Sequence, residues 1–262
     1  MDCIILAGGV PAEDDLLYEY TQGQPKALLE LAGKPMVQWI LDTLTGVGRI
    51  GKILLVGLGP DDGLTSSKLV AFIPDQGSLL RNVIAGVDRL MELSTDTDQV
   101  VICSADIPLI TGEIVDRYLD QCAGANYDIQ YGVVERTLME GRFPSSRRSY
   151  IHLTDGDYAG ADIFVVNPEI VYSNRQMWDD LIGSRKSVLK QARRIGLGTL
   201  VRLLLRRLSL MEAEVRVLKA LGLSGRAVPV DHAELGMDVD KPFQLQICRQ
   251  ELEASPRGRL AA

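Results

Sequence analysis

The sequence predicts an α/β protein built on a doubly wound, mostly parallel sheet with helices on both faces. Two observations carry this prediction. Short apolar runs alternate with amphipathic helical segments through the first half of the chain, and the first of these runs ends in a pair of glycines. Buried parallel strands are apolar on both faces, and alternation of strands with helices is typical of such sheets. The chain has 262 residues, which suits one large domain or one domain with an insertion.

The first half of the chain contains three predicted strands and two predicted helices. The strands are short apolar runs, and the helices repeat apolar residues at three- and four-residue intervals. The strands are predicted at residues 3–7, 52–57 and 99–103, and the helices at 35–44 and 78–93. Four apolar residues of the second helix, Leu79, Val83, Val87 and Leu90, are predicted to face the core.

The second half interrupts this alternation with a long helical stretch. Strands are predicted at 128–134, 161–166 and 227–230. Residues 168–221 have an almost wholly helical pattern, and a last helix follows Pro242. We interpret 173–221 as a helical insertion and 254–262 as a loose tail.

Composition argues against several classes of function. The net charge of −7 disfavours a nucleic-acid-binding protein with a broad basic surface. The four cysteines are scattered and form no CxxC pair, so we expect neither a zinc site nor a disulfide framework. The sequence has no signal-peptide pattern and no apolar run of about 18 residues. We therefore expect a cytoplasmic protein with reduced thiols.

The first predicted strand ends in two glycines, Gly8 and Gly9. Open α/β sheets bind ligands at the carboxyl edge of their strands, and glycines there let backbone N–H groups approach an anion closely. Two glycines alone are equally compatible with a tight turn. The loop has neither the GxxxxGK[ST] pattern of a P-loop nor the GxGxxG pattern of a dinucleotide site.

Four short motifs follow one another along the chain. The first joins LAGG at 6–9 to PKALLELAGKPM at 25–36, and the others are QGSLLRNV at 76–83, ICSADIPL at 102–109 and MDVDKP at 237–242. Together they resemble the nucleotidyltransferases of the GT-A-like fold, in particular the molybdenum cofactor guanylyltransferase-like (MobA-like) group. That superfamily also contains sugar-1-phosphate nucleotidyltransferases and the cytidylyltransferase of isoprenoid synthesis. The resemblance implies a three-layer, Rossmann-like fold with a mixed, mostly parallel sheet.

The resemblance also implies a reaction and the residues that carry it. The reaction is transfer of an NMP unit from an NTP to a small phosphorylated acceptor, with release of pyrophosphate and dependence on Mg²⁺. The implied catalytic residues are Lys26 and Asp106, and the implied Mg²⁺ ligands are Asp106, Asp238 and Asp240. The implied nucleotide-binding residues are Leu6, Ala7, Gly8, Gly9, Lys26, Gly77, Ser78 and Asn82. Because a phosphate oxygen is already an anionic nucleophile, catalysis consists mainly of alignment and charge neutralisation.

The acceptor side has two candidate segments. Arg142, Arg147 and Arg148 form a basic stretch in an otherwise acidic protein, and arginine forks match phosphate oxygens. Gly160 and Asp162 lie where the family often has a glycine-rich stretch that lines the acceptor pocket. A mobile basic loop and a turn with a capping aspartate are the alternative interpretations of these segments.

One departure from the family pattern concerns the loop after Gly9. Family members usually carry an arginine there that contacts the triphosphate, whereas this loop is acidic and has no basic residue before Lys26. Either Lys26 alone holds the phosphates, or the 142–148 stretch supplies the missing cation. Two other functions stay open: a catalytically silent nucleotide-binding or regulatory protein on the same fold, and an NDP-sugar glycosyltransferase. Glycosyltransferases usually carry a D-x-D motif where this chain has the single Asp106, which favours nucleotidyl transfer.

We predict a single nucleotidyltransferase domain over residues 1–262. Its parts are an NTP-binding half at 1–110, an acceptor-side half at 111–172 and 222–253, the helical insertion and the tail. The predicted partners are the NTP donor and the phosphorylated acceptor, without nucleic acid. A basic amphipathic stretch at 184–207 is compatible with a membrane surface or a homo-oligomer contact, but we favour charges that simply face solvent.

Overall fold

The computed structural model describes residues 1–94, 97–175, 178 and 196–259. The strands of this part are β1 (Asp2–Leu6), β2 (Glu30–Leu31), β3 (Lys34–Pro35), β4 (Ile53–Val56), β5 (Leu69–Ile73), β6 (Val100–Ser104), β7 (Ile129–Glu135), β8 (Ile151–Leu153), β9 (Gly156–Val166) and β10 (Gly225–Pro229). Its helices are α1 (Tyr18–Thr21), α2 (Met36–Gly46), α3 (Leu79–Leu93), α4 (Gly112–Cys122), α5 (Arg136–Arg142), α6 (Pro168–Ser173), α7 (Leu197–Leu204), α8 (Leu210–Leu221), α9 (Pro242–Ala254) and α10 (Pro256–Arg259). Short 3₁₀ turns lie at Lys26–Leu28, Pro60–Asp62 and Ala233–Gly236.

Eight strands form one mixed sheet in the order β10-β7-β9-β6-β1-β4-β5, with β8 paired to β9. β1 pairs in parallel with β4 and β6, β4 with β5, and β7 with β10. β9 runs antiparallel to its neighbours β6, β7 and β8. The predicted α/β fold with a mixed, mostly parallel sheet is confirmed.

Helices cover both faces of the sheet. Cys3 and Ile5 of β1 enter one core and Ile4 and Leu6 the other, because successive side chains of a strand point to opposite faces. The first core includes residues of α2, α4 and α9, and the second includes residues of α3 and α6. A strand that is buried on both faces cannot alternate apolar with polar residues. This explains the continuous apolar run in the sequence.

The first turn of α3 differs from its prediction. Three of the four apolar residues predicted to face the core are buried, but the Leu79 side chain is 62% exposed. Ser78 is the N-cap of α3, so Leu79 is the first helical residue. It therefore lies at the open carboxyl edge of the sheet and not over the core.

The helical insertion is described only in part. α6, α7 and α8 lie within the stretch predicted to be helical. The part of the predicted basic stretch from 184 to 195 lies outside the described residues. Among the helices that the structure describes, none is both long enough and apolar enough to cross a membrane.

Residues 254–262 are predicted to be a loose tail, but the described part of this segment, up to residue 259, is mostly helical. Residues Pro256–Arg259 form α10, and the Arg257 guanidinium donates to the carbonyl oxygens of Ile110 and Leu109 at 2.8 and 3.3 Å. The same guanidinium lies 5.9 Å from the centroid of the Trp39 ring. The last described turn therefore packs against the loop that follows β6.

Candidate nucleotide-binding site

The order of strands in the sheet reverses at β1. The chain passes from β1 through β4 to β5 and then returns to β6 on the other side of β1. In open α/β sheets, ligands bind in the crevice outside the carboxyl ends of the strands at such a reversal. A cavity of about 170 Å³ lies there. Six of the eight predicted nucleotide-binding residues line it, namely Leu6, Ala7, Gly8, Gly9, Lys26 and Asn82.

Gly8 packs directly against a hydrogen-bonded side-chain pair. Asn82 Nδ2 donates to Asp75 Oδ1 at 2.7 Å, and Asn82 Oδ1 accepts from the Gln76 N–H at 2.7 Å. A Cβ on Gly8 would lie 2.2 Å from Asp75 Oδ1 and 2.6 Å from Asn82 Nδ2. An added Cβ would therefore force one or both of these side chains to shift. Asp75 was missed in the sequence, although it comes two residues after the end of β5.

Gly77 and Ser78 lie in the turn that precedes α3. Gly77 has a φ of +76°, and Ser78 Oγ accepts from the Arg81 N–H as the helix cap. Both residues therefore shape the turn beside the cavity. The next residue, Leu79, lines the cavity with its exposed side chain and offers an apolar surface to a ligand.

Lys26 joins the glycine loop to two carboxylates. Its backbone N–H donates to the Gly9 carbonyl oxygen at 2.8 Å, and its Nζ lies 2.7 Å from both Asp106 Oδ2 and Asp240 Oδ1. Ser104 Oγ donates to the other oxygen of Asp106 at 2.6 Å. Burial lowers the pKa of the Lys26 ammonium, but the two ion pairs outweigh burial and hold this pKa above its ordinary value. Lys26 therefore stays charged.

A second ion-pair cluster adjoins the first. The Arg148 guanidinium donates to Asp238 Oδ1 through Nη1 and to the Gly160 carbonyl oxygen at 3.2 Å through Nη2. The same Nη2 lies 3.6 Å from Asp162 Oδ2. Asp238 was predicted as a metal ligand, but the structure pairs it with Arg148. Arg148, Gly160 and Asp162, three of the five predicted acceptor-binding residues, lie together here.

The other two predicted acceptor-binding residues lie elsewhere. The Arg142 guanidinium forms ion pairs with Glu234 and Glu251 on an exposed surface. The Arg147 guanidinium lies 5.4 Å from the centroid of the Phe243 ring. Both guanidinium groups thus have partners other than Asp238 and Asp162, and their role in binding the acceptor stays a prediction.

Comparison with known proteins agrees with this geometry. A model of the MobA-like NTP transferase domain matches residues 3–180. The chain belongs to the MobA-like NTP transferase family. Members of this family are nucleotidyltransferases.

Solved structures extend the likeness over nearly the whole chain. A hypothetical transferase from Thermus thermophilus is 32% identical, with a TM-score of 0.79 over 93% of this chain and 98% of that one. The 4-diphosphocytidyl-2C-methyl-D-erythritol synthase of Anaerococcus prevotii shares the fold at 11% identity, with a TM-score of 0.58 over 96% of this chain and 95% of that one. Among curated proteins, the bifunctional protein GlmU of Thermosipho africanus is 25% identical over 130 residues. That match covers 49% of this chain and 27% of GlmU.

MobA-like transferases and their structural relatives generally use a divalent metal ion. Among the described residues, no group of three or more histidine, cysteine, aspartate or glutamate side chains forms a metal cage. Mg²⁺ needs few protein ligands, because it keeps several waters and binds substrate phosphates. Oxygens of Asp106 and Asp240 converge on one point, since both lie 2.7 Å from Lys26 Nζ. This oxygen-only donor set fits a hard divalent cation.

Burial and neighbouring carboxylates raise the pKa of the Asp162 carboxyl. Burial, followed by the charge of Asp106, raises the pKa of the Asp162 carboxyl from 3.8 to about 7, although Arg148 opposes the shift. The charged form is therefore disfavoured in the folded protein. An unfolded chain loses this proton near pH 4, whereas the folded chain retains it to about pH 7. The free energy of unfolding consequently falls as pH rises between these values.

Asp162→Asn will stabilise the protein above pH 7 when divalent cations are absent. The amide cannot ionise, so the variant avoids the cost of the buried charge, about 2 kcal/mol once the partial solvent exposure is allowed for. The free energies of unfolding of the variant and the parent should differ little at pH 4.5 and most at pH 8. Urea unfolding at both values in the presence of EDTA measures the difference. An equal difference at both pH values would contradict the shifted pKa.

Proposed function

We propose that this MobA-like chain transfers an NMP unit from an NTP to a small phosphorylated acceptor and releases pyrophosphate. One observation carries the proposal: Lys26, Asp106 and Asp240 converge beside the glycine loop at the carboxyl ends of β1 and β6. A cation and two carboxylates in this position suit the alignment and charge neutralisation that phosphoryl chemistry requires. Family membership favours this reaction over glycosyl transfer.

The glycine loop would hold the phosphates of the NTP. The Ala7 N–H donates to the Val56 carbonyl oxygen at 2.7 Å and still belongs to the sheet. Gly8 and Gly9 are the first residues beyond it, so their N–H groups are the ones that would turn towards an anion. Because the Lys26 N–H is bonded to the Gly9 carbonyl oxygen, the Lys26 ammonium stays within a side chain's length of this loop.

The reaction breaks one bond and forms one. An oxygen of the acceptor phosphate would attack the α-phosphorus, the bond from this phosphorus to the bridging oxygen of the β-phosphate would break, and pyrophosphate would leave. Lys26 would neutralise the charge that builds on the β-phosphate. A bound Mg²⁺ would polarise the phosphoryl oxygens as a Lewis acid. Asp106 and Asp240 would hold this ion, while Asp238 would hold Arg148.

Arg148 and Asp162 would meet the acceptor. Arg148 pairs with Asp238 and lies 3.6 Å from Asp162, and it would compensate for the acidic loop that follows Gly9. Its guanidinium would bind oxygens of the acceptor phosphate. Asp162, whose Oδ2 is buried without a hydrogen-bond partner, would accept from an acceptor hydroxyl.

Asp75 would contribute to the choice of base. Its carboxylate lies against Gly8 and Asn82 and offers hydrogen-bond acceptors. A guanine edge presents two adjacent donors, its ring N–H and its amino group. An adenine or cytosine edge presents an amino group beside an acceptor. We therefore expect GTP to be the preferred donor among the four common NTPs.

A thermal-shift panel of ATP, GTP, CTP and UTP, each with and without Mg²⁺, tests the proposal. A ligand that binds only the folded state raises the melting temperature by mass action. We expect the largest shift with GTP and Mg²⁺, together with pyrophosphate release when sugar phosphates or polyol phosphates are added. Absence of any shift would favour a catalytically silent relative. Release of free NDP from NDP-sugars would favour a glycosyltransferase.

A further inference from the structure

The Lys26 ammonium occupies the point at which the two candidate metal ligands converge. Its Nζ lies 2.7 Å from an oxygen of Asp106 and 2.7 Å from an oxygen of Asp240. Magnesium binds oxygen ligands at about 2.1 Å, so a small closure of the same two carboxylates would receive it. An ammonium and a divalent cation cannot both occupy the gap between the two carboxylates, because their positive charges repel at such short range.

We propose that Lys26 has two positions and that a divalent cation selects between them. In the protein without metal, its ammonium is the internal counter-ion of Asp106 and Asp240. Arrival of the cation displaces the ammonium, which then moves to the phosphates of the NTP. This inference rests on the proposed function for the second position only. The first position rests on the ion pairs alone.

The local structure allows this movement for Lys26 and opposes it for Arg148. The Lys26 backbone is tied to the Gly9 carbonyl oxygen, so the end of a flexible four-carbon side chain is the part that moves. Arg148 is 13% exposed and is fixed by Asp238 and by the Gly160 carbonyl oxygen. Lys26 is therefore the exchangeable cation of the site, and Arg148 is a fixed one.

Displacement couples metal binding to nucleotide binding. A free metal ion must compete with an internal cation that already neutralises its ligands. A metal ion that arrives with an NTP brings new anionic partners for the displaced ammonium, so the cost of displacement is recovered. The two ligands then bind with positive cooperativity, and each raises the affinity for the other by the same factor.

Binding of Mn²⁺ to the nucleotide-free protein tests the first position. The probe is Mn²⁺ alone, and the electron paramagnetic resonance signal of free Mn²⁺ gives the affinity. Lys26→Met removes the competing charge, so we expect it to bind Mn²⁺ at least about tenfold more tightly than the parent protein. Lys26→Arg keeps the charge and should bind weakly. Lys34→Met is the matched control, because Lys34 pairs with Asp42 at 2.7 Å outside the site, and it should leave the affinity unchanged.

Unchanged or weaker Mn²⁺ binding by Lys26→Met would overturn the proposal. A second measurement uses the unmodified sequence and does not depend on how a variant folds. Acetylation of individual lysines by an N-hydroxysuccinimide ester is followed by mass spectrometry in EDTA and, without nucleotide, in Mg²⁺ at concentrations that saturate the protein. We expect Mg²⁺ to accelerate modification of Lys26 severalfold and to leave Lys34 unchanged. Equal rates at Lys26 would overturn the proposal, and neither experiment requires the chain to bind an NTP.

Discussion

Asp106→Asn will lower the rate of pyrophosphate release by about 10³-fold or more and remove the Mg²⁺-dependent part of NTP binding. The carboxylate receives hydrogen bonds from Ser104 and Lys26 and is 14% exposed, so it is fixed in position. Asparagine has nearly the same shape, but its amide is a poor ligand for a hard cation. Calorimetric titration of the NTP with and without Mg²⁺ measures binding. A coupled pyrophosphate assay with mixed sugar and polyol phosphates measures the rate.

Asp120→Asn is the matched control for Asp106→Asn. Asp120 pairs with Arg49 at the surface and its side chain is 73% exposed, so the same chemical change should leave binding and rate unaltered. Exposed ion pairs contribute about 0–1 kcal/mol to stability, so this variant should also fold normally. Full activity of Asp106→Asn would remove Asp106 from the metal site. Equal losses in both variants would point to a general effect of lost charge on an acidic protein.

The fold was predictable because its signals are local. The central strands β1, β4 and β6 are short apolar runs, and the paired cores on the two faces of β1 explain why. Leu79 shows the limit of such reasoning. Its spacing along α3 matches the buried face, yet helical periodicity does not reveal where the sheet beneath the helix ends. The residue therefore lies in the cavity and is exposed.

The candidate site residues were implied by the family resemblance of their motifs, but their pairings were not. Lys26 is 80 positions from Asp106 and 214 from Asp240, and only the three-dimensional path of the chain brings all three together. The structure pairs Asp238 with Arg148 and Asp240 with Lys26, although the two aspartates are separated by one residue. Side chains two positions apart in an extended segment share a face, so the local sequence does not separate these carboxylates; each takes the cation that the fold brings to it.

The sequence also could not distinguish which of the three predicted acceptor-side arginines lies in the candidate site. Arg147 and Arg148 are adjacent, yet one lies over a phenylalanine ring and the other is half-buried beside Asp238. Arg147 has a φ of +47°, an unusual value for a residue with a side chain. Because this conformation depends on the surrounding fold, residue type alone gives no sign of which arginine enters the site.

Gly8→Ala will lower the free energy of unfolding by about 1–3 kcal/mol, the usual range for overpacking a tight site. The added Cβ would overlap Asp75 Oδ1 and Asn82 Nδ2, which lie 2.2 and 2.6 Å from its position. Asn82 is 2% exposed and is hydrogen-bonded to Gln76 and Asp75, so its amide cannot swing aside, whereas the exposed Asp75 side chain can yield. We also expect the affinity for NTP to fall at least about tenfold, because the loop must move away from the cavity to relieve the overlap. Urea unfolding and calorimetry measure the two effects.

Gly9→Ala is the matched control for this substitution. No atom lies within 4 Å of the Cβ position of Gly9, so the same added methyl group meets open space and should leave the stability unchanged. A stability loss confined to Gly8→Ala would show that the loop is shaped by the Asp75–Asn82 pair. Equal losses would mean that the loop needs the conformational freedom of two glycines. If Gly9→Ala instead keeps its stability and loses NTP affinity, the open space beside Gly9 is where the phosphates bind.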